Sequence, residues 1–121
     1  MSAACRFYHV ADRRLDEIWE YSCTHWGEAQ AEKYIEGLFS HLQKAANRAI
    51  PWNALPQRLV APVGVSHGVY MTRYKKHSIF FRELSGGSLG ILSILHNAMN
   101  IPVRLQEDLL LTERQEVTPP G

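Results

Sequence analysis

The chain of 121 residues has little cysteine and no long hydrophobic run. Its two cysteines, Cys5 and Cys23, form no C-x-x-C pair, so the sequence indicates neither a disulfide framework nor a redox motif. We interpret both as free, largely buried thiols in a reducing compartment. No stretch approaches about 18 apolar residues, and Met1–Val10 lacks the basic start and apolar run of a signal peptide. These absences predict a cytoplasmic protein.

The sequence also lacks the motifs of several enzyme classes. It has no glycine-rich phosphate loop, no G-x-G-x-x-G and no G-x-S-x-G. Its six histidines are scattered, and no two lie at i, i+4 on one predicted helix. We therefore expect neither a metal site nor a cofactor.

Acidic residues are scarce in the middle of the chain, although the net charge is only +1. Between Arg48 and Arg104 the one acidic residue is Glu83. The basic residues of the same stretch are Arg48, Arg58, Arg73, Lys75, Lys76, Arg82 and Arg104. This distribution predicts one positively charged face on a nearly neutral protein.

The first half of the chain predicts a short strand followed by a helical hairpin. Cys5–Val10 is the strand, and a helix begins near Asp12. Gly27 ends that helix because glycine adopts left-handed backbone angles at low cost. A second helix runs to Ala49 and is ended by Pro51. The two apolar faces consist of Leu15, Ile18, Trp19 and Ser22, and of Ala31, Tyr34, Ile35, Leu38, Leu42, Ala45, Ala46 and Ala49.

The second half predicts an antiparallel meander and a short final helix. Pro51–Gly64 is interpreted as an ordered loop with at most one helical turn. Three strand-like runs follow it: Val69–Tyr74, Ser78–Leu84 and Leu89–His96. The last run is apolar on both faces, which is typical of a central strand.

The final helix is capped by Asn100 and docks through Val103, Leu109 and Leu110, and residues 112–121 form a flexible tail. Helices grouped apart from consecutive strands predict a single α+β domain over residues 1–111.

Two groups of side chains are candidates for function. The first is aromatic and consists of Trp19, Trp26, Tyr34 and Phe39. These side chains either seal the hairpin against the sheet or leave an exposed edge for a partner. The second group lies on the strands and consists of Arg73, His77, Arg82 and His96. These four hold a structural hydrogen-bond network, bind a partner, or act on a phosphodiester through cations and a histidine that moves protons.

Several segments, taken in order, resemble ParE toxins of the RelE/ParE superfamily. Leu15–Tyr21 and Trp26–Tyr34 are similar to the family's helical hairpin. His77–Arg82 resembles its strand ending in aromatic-arginine. Ile91–Asn100 resembles its last strand, with Leu95-His96 and Met99-Asn100 standing for the family's Leu-His and Met-Asp.

The resemblance implies the toxin of a type II toxin–antitoxin module, held inactive by a ParD-like antitoxin and acting on DNA gyrase without catalysis. The expected target-binding residues are Arg73, Arg82, His96 and Arg104. The expected antitoxin-binding residues are Trp19, Tyr34 and Leu38, in an apolar groove of the hairpin and sheet.

Two alternatives stay open. RelE relatives cleave mRNA on the ribosome, and a ribonuclease would use His77, Arg82 and His96. However, RelE-type enzymes usually carry an arginine after the last strand and a tyrosine in the terminal segment. Here the sequence after the strand has no arginine until Arg104 and no tyrosine after Tyr74. The other alternative is an inactive protein whose one partner is the antitoxin.

Overall fold

The structure is a computed structural model that describes residues 5–56 and 68–116, with side chains as far as residue 112. One mixed sheet separates a helical hairpin on one face from a third helix on the other. In chain order the elements are β1 (Cys5–Phe7), α1 (His9–Trp26), α2 (Glu28–Ala46), β2 (Asn53–Ala54), β3 (Tyr70–Tyr74), β4 (His77–Glu83), β5 (Leu89–His96) and α3 (Ile101–Glu116).

The described strands lie in the order β1-β5-β4-β3-β2. The predicted antiparallel meander is confirmed, because β3 pairs with β4 and β4 with β5. The first strand joins β5 in parallel, with Cys5 opposite Leu89. A parallel pair needs a long crossover connection, and the helical hairpin is the first part of that connection. β5 therefore lies between two neighbours and is buried along nearly its whole length, as its apolar sequence predicts.

Two hydrophobic cores occupy the two faces of the sheet. The larger core packs α1 and α2 on the sheet through residues such as Ile18, Leu42 and Phe81. The smaller core lies under α3 and includes Phe80, Leu95 and Leu109. Burying one such side chain contributes about 1.5–3 kcal/mol, so both faces add to stability.

The hairpin turns at a single residue. Gly27 has φ 89° and ψ 160°, and its N–H donates to the carbonyl of Cys23 at 3.1 Å. These angles lie in a region that is essentially restricted to glycine. The predicted break between Trp26 and Gly27 is confirmed, and both helices need it in order to pack side by side on the sheet.

The structure corrects two helix ends in the first half. α1 begins at His9, three residues before Asp12, so Val10 belongs to a helix and not to the first strand. α2 ends at Ala46, before the predicted Ala49. Arg48 adopts φ 61°, and the N–H of Ala49 bonds back to Lys44 at 2.8 Å. This C-terminal motif stops the helix before Pro51 is reached.

The loop after α2 also differs from prediction. Asn53–Ala54 pairs with β3 as an edge strand. The remainder of the predicted loop, from residue 57 onward, lies outside the described residues.

The final helix is longer than predicted and turns a different side to the sheet. It continues through Glu116, and Thr112 is buried, so the predicted tail does not begin at residue 112. Residues 117–121 lie outside the described part of the chain. Leu109 docks as predicted, but Val103 and Leu110 are exposed, and Leu105 is buried instead.

Candidate functional site

The four candidate residues on the strands do not lie on one face of the sheet. Side chains alternate between the two faces along a strand. The side chain of His77 lies on the same face of the sheet as those of Ile79 and Phe81, which pack against the helical hairpin. Arg82 instead contacts Tyr8, beside the core under α3. Arg73 lies between Thr72 and Tyr74, which face α2, so it also points to the α3 face. The predicted constellation is therefore divided by the sheet.

His77 and His96 do come together. They are direct register partners on β4 and β5, and their ring centroids are 5.1 Å apart at an interplanar angle of 85°. The hydroxyl of Tyr34 lies 2.6 Å from Nδ1 of His77. The backbone N–H of Ala98 donates to Nδ1 of His96 at 3.0 Å. Both rings are thus fixed by a hydrogen bond at the same nitrogen.

The environment keeps His77 neutral. Burial, with a contribution from neighbouring His96, lowers the pKa of His77 from 6.5 to about 4. Burial also raises the pKa of Tyr34, so its hydroxyl keeps its proton. At neutral pH the Tyr34–His77 contact therefore joins two uncharged groups.

A cleft of about 310 Å³ opens beside the histidine pair, between α1 and the sheet. Its lining is mainly apolar and consists of Arg14, Glu17, Ile18, Tyr21, Ser22, His77, Ile94, His96 and Met99. Among residues 5–56 and 68–116, no three histidine, cysteine or acidic side chains are grouped so that they could hold a metal ion.

Arg82 has a structural position. It is only 8% exposed, and its guanidinium Nη2 donates to the hydroxyl of Tyr8 at 2.7 Å. The same guanidinium lies 5.6 Å from the centroid of the Tyr8 ring. These contacts tie β4 to the junction of β1 and α1. Arg82 is therefore a buried anchor of β4, and its contact with a target stays a prediction.

The other predicted cations are exposed, and they lie in two places. Arg73 is exposed next to the β3–β4 turn, where Lys75 and Lys76 are exposed as well. Arg104 is exposed on α3 and forms an ion pair with Glu107 at 3.4 Å. Within residues 5–56 and 68–112, exposed Arg73, Lys75 and Lys76 therefore form a positive group at the β3–β4 turn.

The aromatic and apolar hairpin residues divide between core and surface. Leu38 is fully buried in the larger core, and its contact with an antitoxin stays a prediction. Trp19 and Tyr34 are partly buried. Trp26 is 68% exposed at the end of α1, and Phe39 on α2 is 45% exposed and contacts Phe7, with ring centroids 5.8 Å apart.

One buried polar cluster was not anticipated. Arg14 on α1 donates two hydrogen bonds of 3.0 Å to Asp108 on α3, and Ser93 of β5 donates to the same carboxylate at 2.5 Å. Asp108 is 1% exposed. Arg14 and Asp108 are 94 residues apart, so no local pattern indicates their pairing.

The family comparison identifies the chain. A family model described as "ParE toxin of type II toxin-antitoxin system, parDE" matches residues 6–101. The chain belongs to the ParE toxin family. Membership in this family makes it a ParE toxin of a type II toxin–antitoxin system, as the ordered motifs predict.

Individual relatives agree with this assignment. Toxin ParE1 of Mycobacterium tuberculosis, from strains CDC 1551 and H37Rv, is 29% identical over 101 residues, covering 84% of this chain and 96% of the relative. A solved structure described as "Chromosomal ParDE TA system from P. aeruginosa" matches with a TM-score of 0.54 at 21% identity. That match covers 78% of this chain and 96% of the other, and it supports the RelE/ParE-like fold.

The ParE match ends where α3 begins, at residue 101. The described residues also contain no helix of the length and apolarity needed to span a membrane. The family model thus covers the hairpin and the meander, whereas nearly all of α3 lies beyond the matched residues.

Proposed function

We propose that this ParE toxin acts in the cytoplasm by binding and inhibiting DNA gyrase, without catalysis, and that a ParD-like antitoxin neutralises it. The observation that carries the non-catalytic part is the separation of Arg82 from His77 and His96. These residues are the candidates for a ribonuclease site, and they lie on opposite faces of the sheet.

Metal-free RNA cleavage needs a base, an acid and cations that converge on one phosphate. The guanidinium of Arg82 is buried against Tyr8, away from the histidine pair. Arg14 is the cation nearest to the pair in the cleft lining, and it is engaged by Asp108 and Glu17. Among the described residues, the cation that the ribonuclease alternative assigns to the site, Arg82, is therefore not beside the histidine pair, and this separation favours the non-catalytic proposal.

Contact with the target fits the exposed positive surface at the β3–β4 turn. Arg73, Lys75 and Lys76 are exposed there, and gyrase works on a polyanion. Arg104 and the exposed side of α3 offer a second contact region.

Arg82 is buried against Tyr8, so its predicted role in target binding is the least supported of the four. His96 lies beside the β3–β4 turn, because the N–H of the next residue, Asn97, donates to the carbonyl of Lys76 at 2.9 Å.

Contact with the antitoxin fits the hairpin. Trp26 and Phe39 are exposed on the two helices of the hairpin, and Trp19 and Tyr34 are partly exposed. Large aromatic side chains on a helical surface suit a partner helix laid along them. The similar P. aeruginosa structure is described as a ParDE system, which supports an antitoxin partner for this family member.

The deciding experiment combines purified protein, DNA gyrase and relaxed plasmid. We expect loss of supercoiling with the wild-type protein and a several-fold weaker effect with Arg73→Ala. Arg13→Ala is the matched control, because Arg13 is an exposed arginine on α1, outside the predicted positive face. A parallel reaction contains translating ribosomes and mRNA. Cleaved mRNA with unaffected supercoiling would show that the proposal is wrong.

A further inference from the structure

The turn between β3 and β4 holds its cations on a fixed support. It has two residues, Lys75 and Lys76, because Tyr74 and His77 are register partners on the two strands. The N–H of Asn97 donates to the carbonyl of Lys76 at 2.9 Å, which ties the turn to the residue after β5. The turn therefore loses little backbone freedom when it binds a partner.

The backbone conformation of Lys75 is unusual for a lysine. Its φ is 51°, in the left-handed region that favours glycine and asparagine. Two-residue connections between strands often need such angles, and they commonly carry Asn-Gly or Asp-Gly. A lysine at this position has a conformational cost, and the charge that it presents to solvent is the property that glycine or asparagine would lack.

The charge of the turn is not neutralised within the part of the chain that the structure describes. Arg73, Lys75 and Lys76 are exposed, and no carboxylate described there forms an ion pair with them. The Nζ of Lys75 lies 5.6 Å from the ring centroid of Tyr34 and 5.4 Å from that of Tyr74. Three cations within four consecutive positions thus concentrate positive charge at one end of the sheet.

We propose that this turn contacts the phosphate backbone of duplex DNA, namely the DNA that the target enzyme holds. This rests on the proposed function for the presence of that DNA, and on the turn for the chemistry. Lysine and arginine side chains bind phosphate oxygens, and each contact releases a counterion and so favours association. Phosphate contacts carry no sequence information, so the contact is independent of base sequence.

Two features of the turn favour duplex DNA over other acidic partners. Protein interfaces are depleted in lysine and centre on apolar or aromatic anchors, whereas Lys75 and Lys76 form the whole of this turn. Single-stranded nucleic acids are bound by stacking their bases on exposed aromatic rings. The rings beside Lys75, those of Tyr34 and Tyr74, are partly buried and pack against the larger core, so they offer no such platform.

The first test measures binding of the full chain to a short labelled DNA duplex by fluorescence anisotropy at several salt concentrations. We expect binding at low salt, and a slope of log K against log salt of about −2 to −3, because each phosphate contact contributes about −0.9. A duplex of unrelated sequence should bind equally well. Single-stranded RNA and poly-L-glutamate represent the other acidic partners. Tighter binding of either one, or no binding of the duplex at low salt, would overturn the proposal.

Substitutions in the turn separate its charge from its fold. Lys75→Asn removes the charge and supplies a residue that accepts φ 51°, so it should unfold at a temperature no lower than that of wild type. Lys75→Asn and Lys76→Gln should each weaken duplex binding several-fold at low salt and make the slope shallower by about one. Arg13→Gln is the matched control, because it removes the same charge from an exposed position on α1. An unchanged slope in both turn variants, or an equal change in Arg13→Gln, would contradict a contact at the turn.

The second test compares wild type and Lys75→Asn as inhibitors of supercoiling by DNA gyrase. We expect inhibition by the variant to be several-fold weaker. Equal inhibition by the two proteins would overturn the DNA contact and keep the proposed function. If the wild-type protein leaves supercoiling unaffected, the proposed function is wrong and gyrase does not supply the DNA, and the salt titration then decides whether the turn binds duplex DNA.

Discussion

His77 is held in its neutral form by three neighbours from different elements. Tyr34 on α2 bonds to its Nδ1, His96 on β5 lies beside its ring, and the sheet buries its body. Protonation of the ring would place a positive charge in a partly buried site beside His96. The resulting preference for the neutral ring links stability to pH.

Stability should therefore fall between pH 6.5 and pH 4. The pKa of His77 is about 4 in the folded chain and 6.5 in the unfolded chain, so the unfolded chain binds more protons in this interval. The stabilisation is complete above pH 6.5, declines as the pH falls through this interval and is gone below about pH 4. Since the ring is only partly buried, we expect a loss of about 1–2 kcal/mol.

Urea unfolding of wild type and His77→Gln across this range measures the effect. Burial, together with Lys44, also lowers the pKa of His41, and His41 is present in both proteins, so its contribution cancels in the difference. The free energy of unfolding should decline more steeply for wild type than for the variant. Parallel curves would contradict the assignment to His77.

At the scale of elements, the hairpin depends on one backbone conformation. Gly27 serves at once as the end of α1 and the residue before α2, with its N–H bonded to Cys23 and its carbonyl accepting from Ala31. A β-carbon on Gly27 would meet no atom within 4 Å. Any cost of a side chain there is therefore conformational and not steric.

Gly27→Ala should destabilise the protein by about 1–3 kcal/mol, because φ 89° with ψ 160° is essentially a glycine conformation. Gly86→Ala is the matched control. Gly86 also has open space around it, but its φ of 80° and ψ of 7° lie nearer the left-handed helical region. We expect a smaller loss there, about 1 kcal/mol. Chemical denaturation compares the two, and an equal or smaller loss at Gly27 would contradict the argument.

The elements that the sequence predicts well are those fixed by local physics. The continuous apolar run of β5 predicts Leu89–His96 with the observed bounds, and Gly27 marks the hairpin break. The end of α2 is different, because it depends on Arg48 adopting a positive φ. The residue types near this position do not predict that conformation. Trp52 reinforces this end by donating from Nε1 to the carbonyl of Ala45 at 2.8 Å.

The candidate site was only partly predictable. Strand alternation could have separated His77 from Arg82, since their positions along β4 differ by an odd number. The position of His96 depends on an irregularity in the pairing of β4 with β5 near Phe80 and Phe81. That irregularity changes which side chains of β5 face the hairpin, and it has no signature in the sequence.

At the scale of the whole molecule, one buried ion pair joins the two faces of the fold. Asp108 on α3 meets Arg14 on α1 and Ser93 on β5, so a single carboxylate connects both helical layers and the central strand. Burial of α3 rests on this contact and on an apolar side that includes Leu105 and Leu109. A buried ion pair contributes little to stability compared with well-packed apolar groups, but loss of one partner leaves the other charge buried without a counter-charge.

Asp108→Asn should therefore cost about 3 kcal/mol, because it keeps the shape of the side chain and leaves Arg14 without its buried counter-charge. Glu107→Gln is the matched control one position away, where the pair with Arg104 is exposed on both sides and contributes about 0–1 kcal/mol. Urea unfolding measures both losses, and hydrogen exchange along α3 should show earlier opening in Asp108→Asn alone. Adding Arg14→Met to Asp108→Asn should recover part of the loss, since the stranded charge is then removed. Equal stability of the two single variants would show that α3 is held by its apolar side alone.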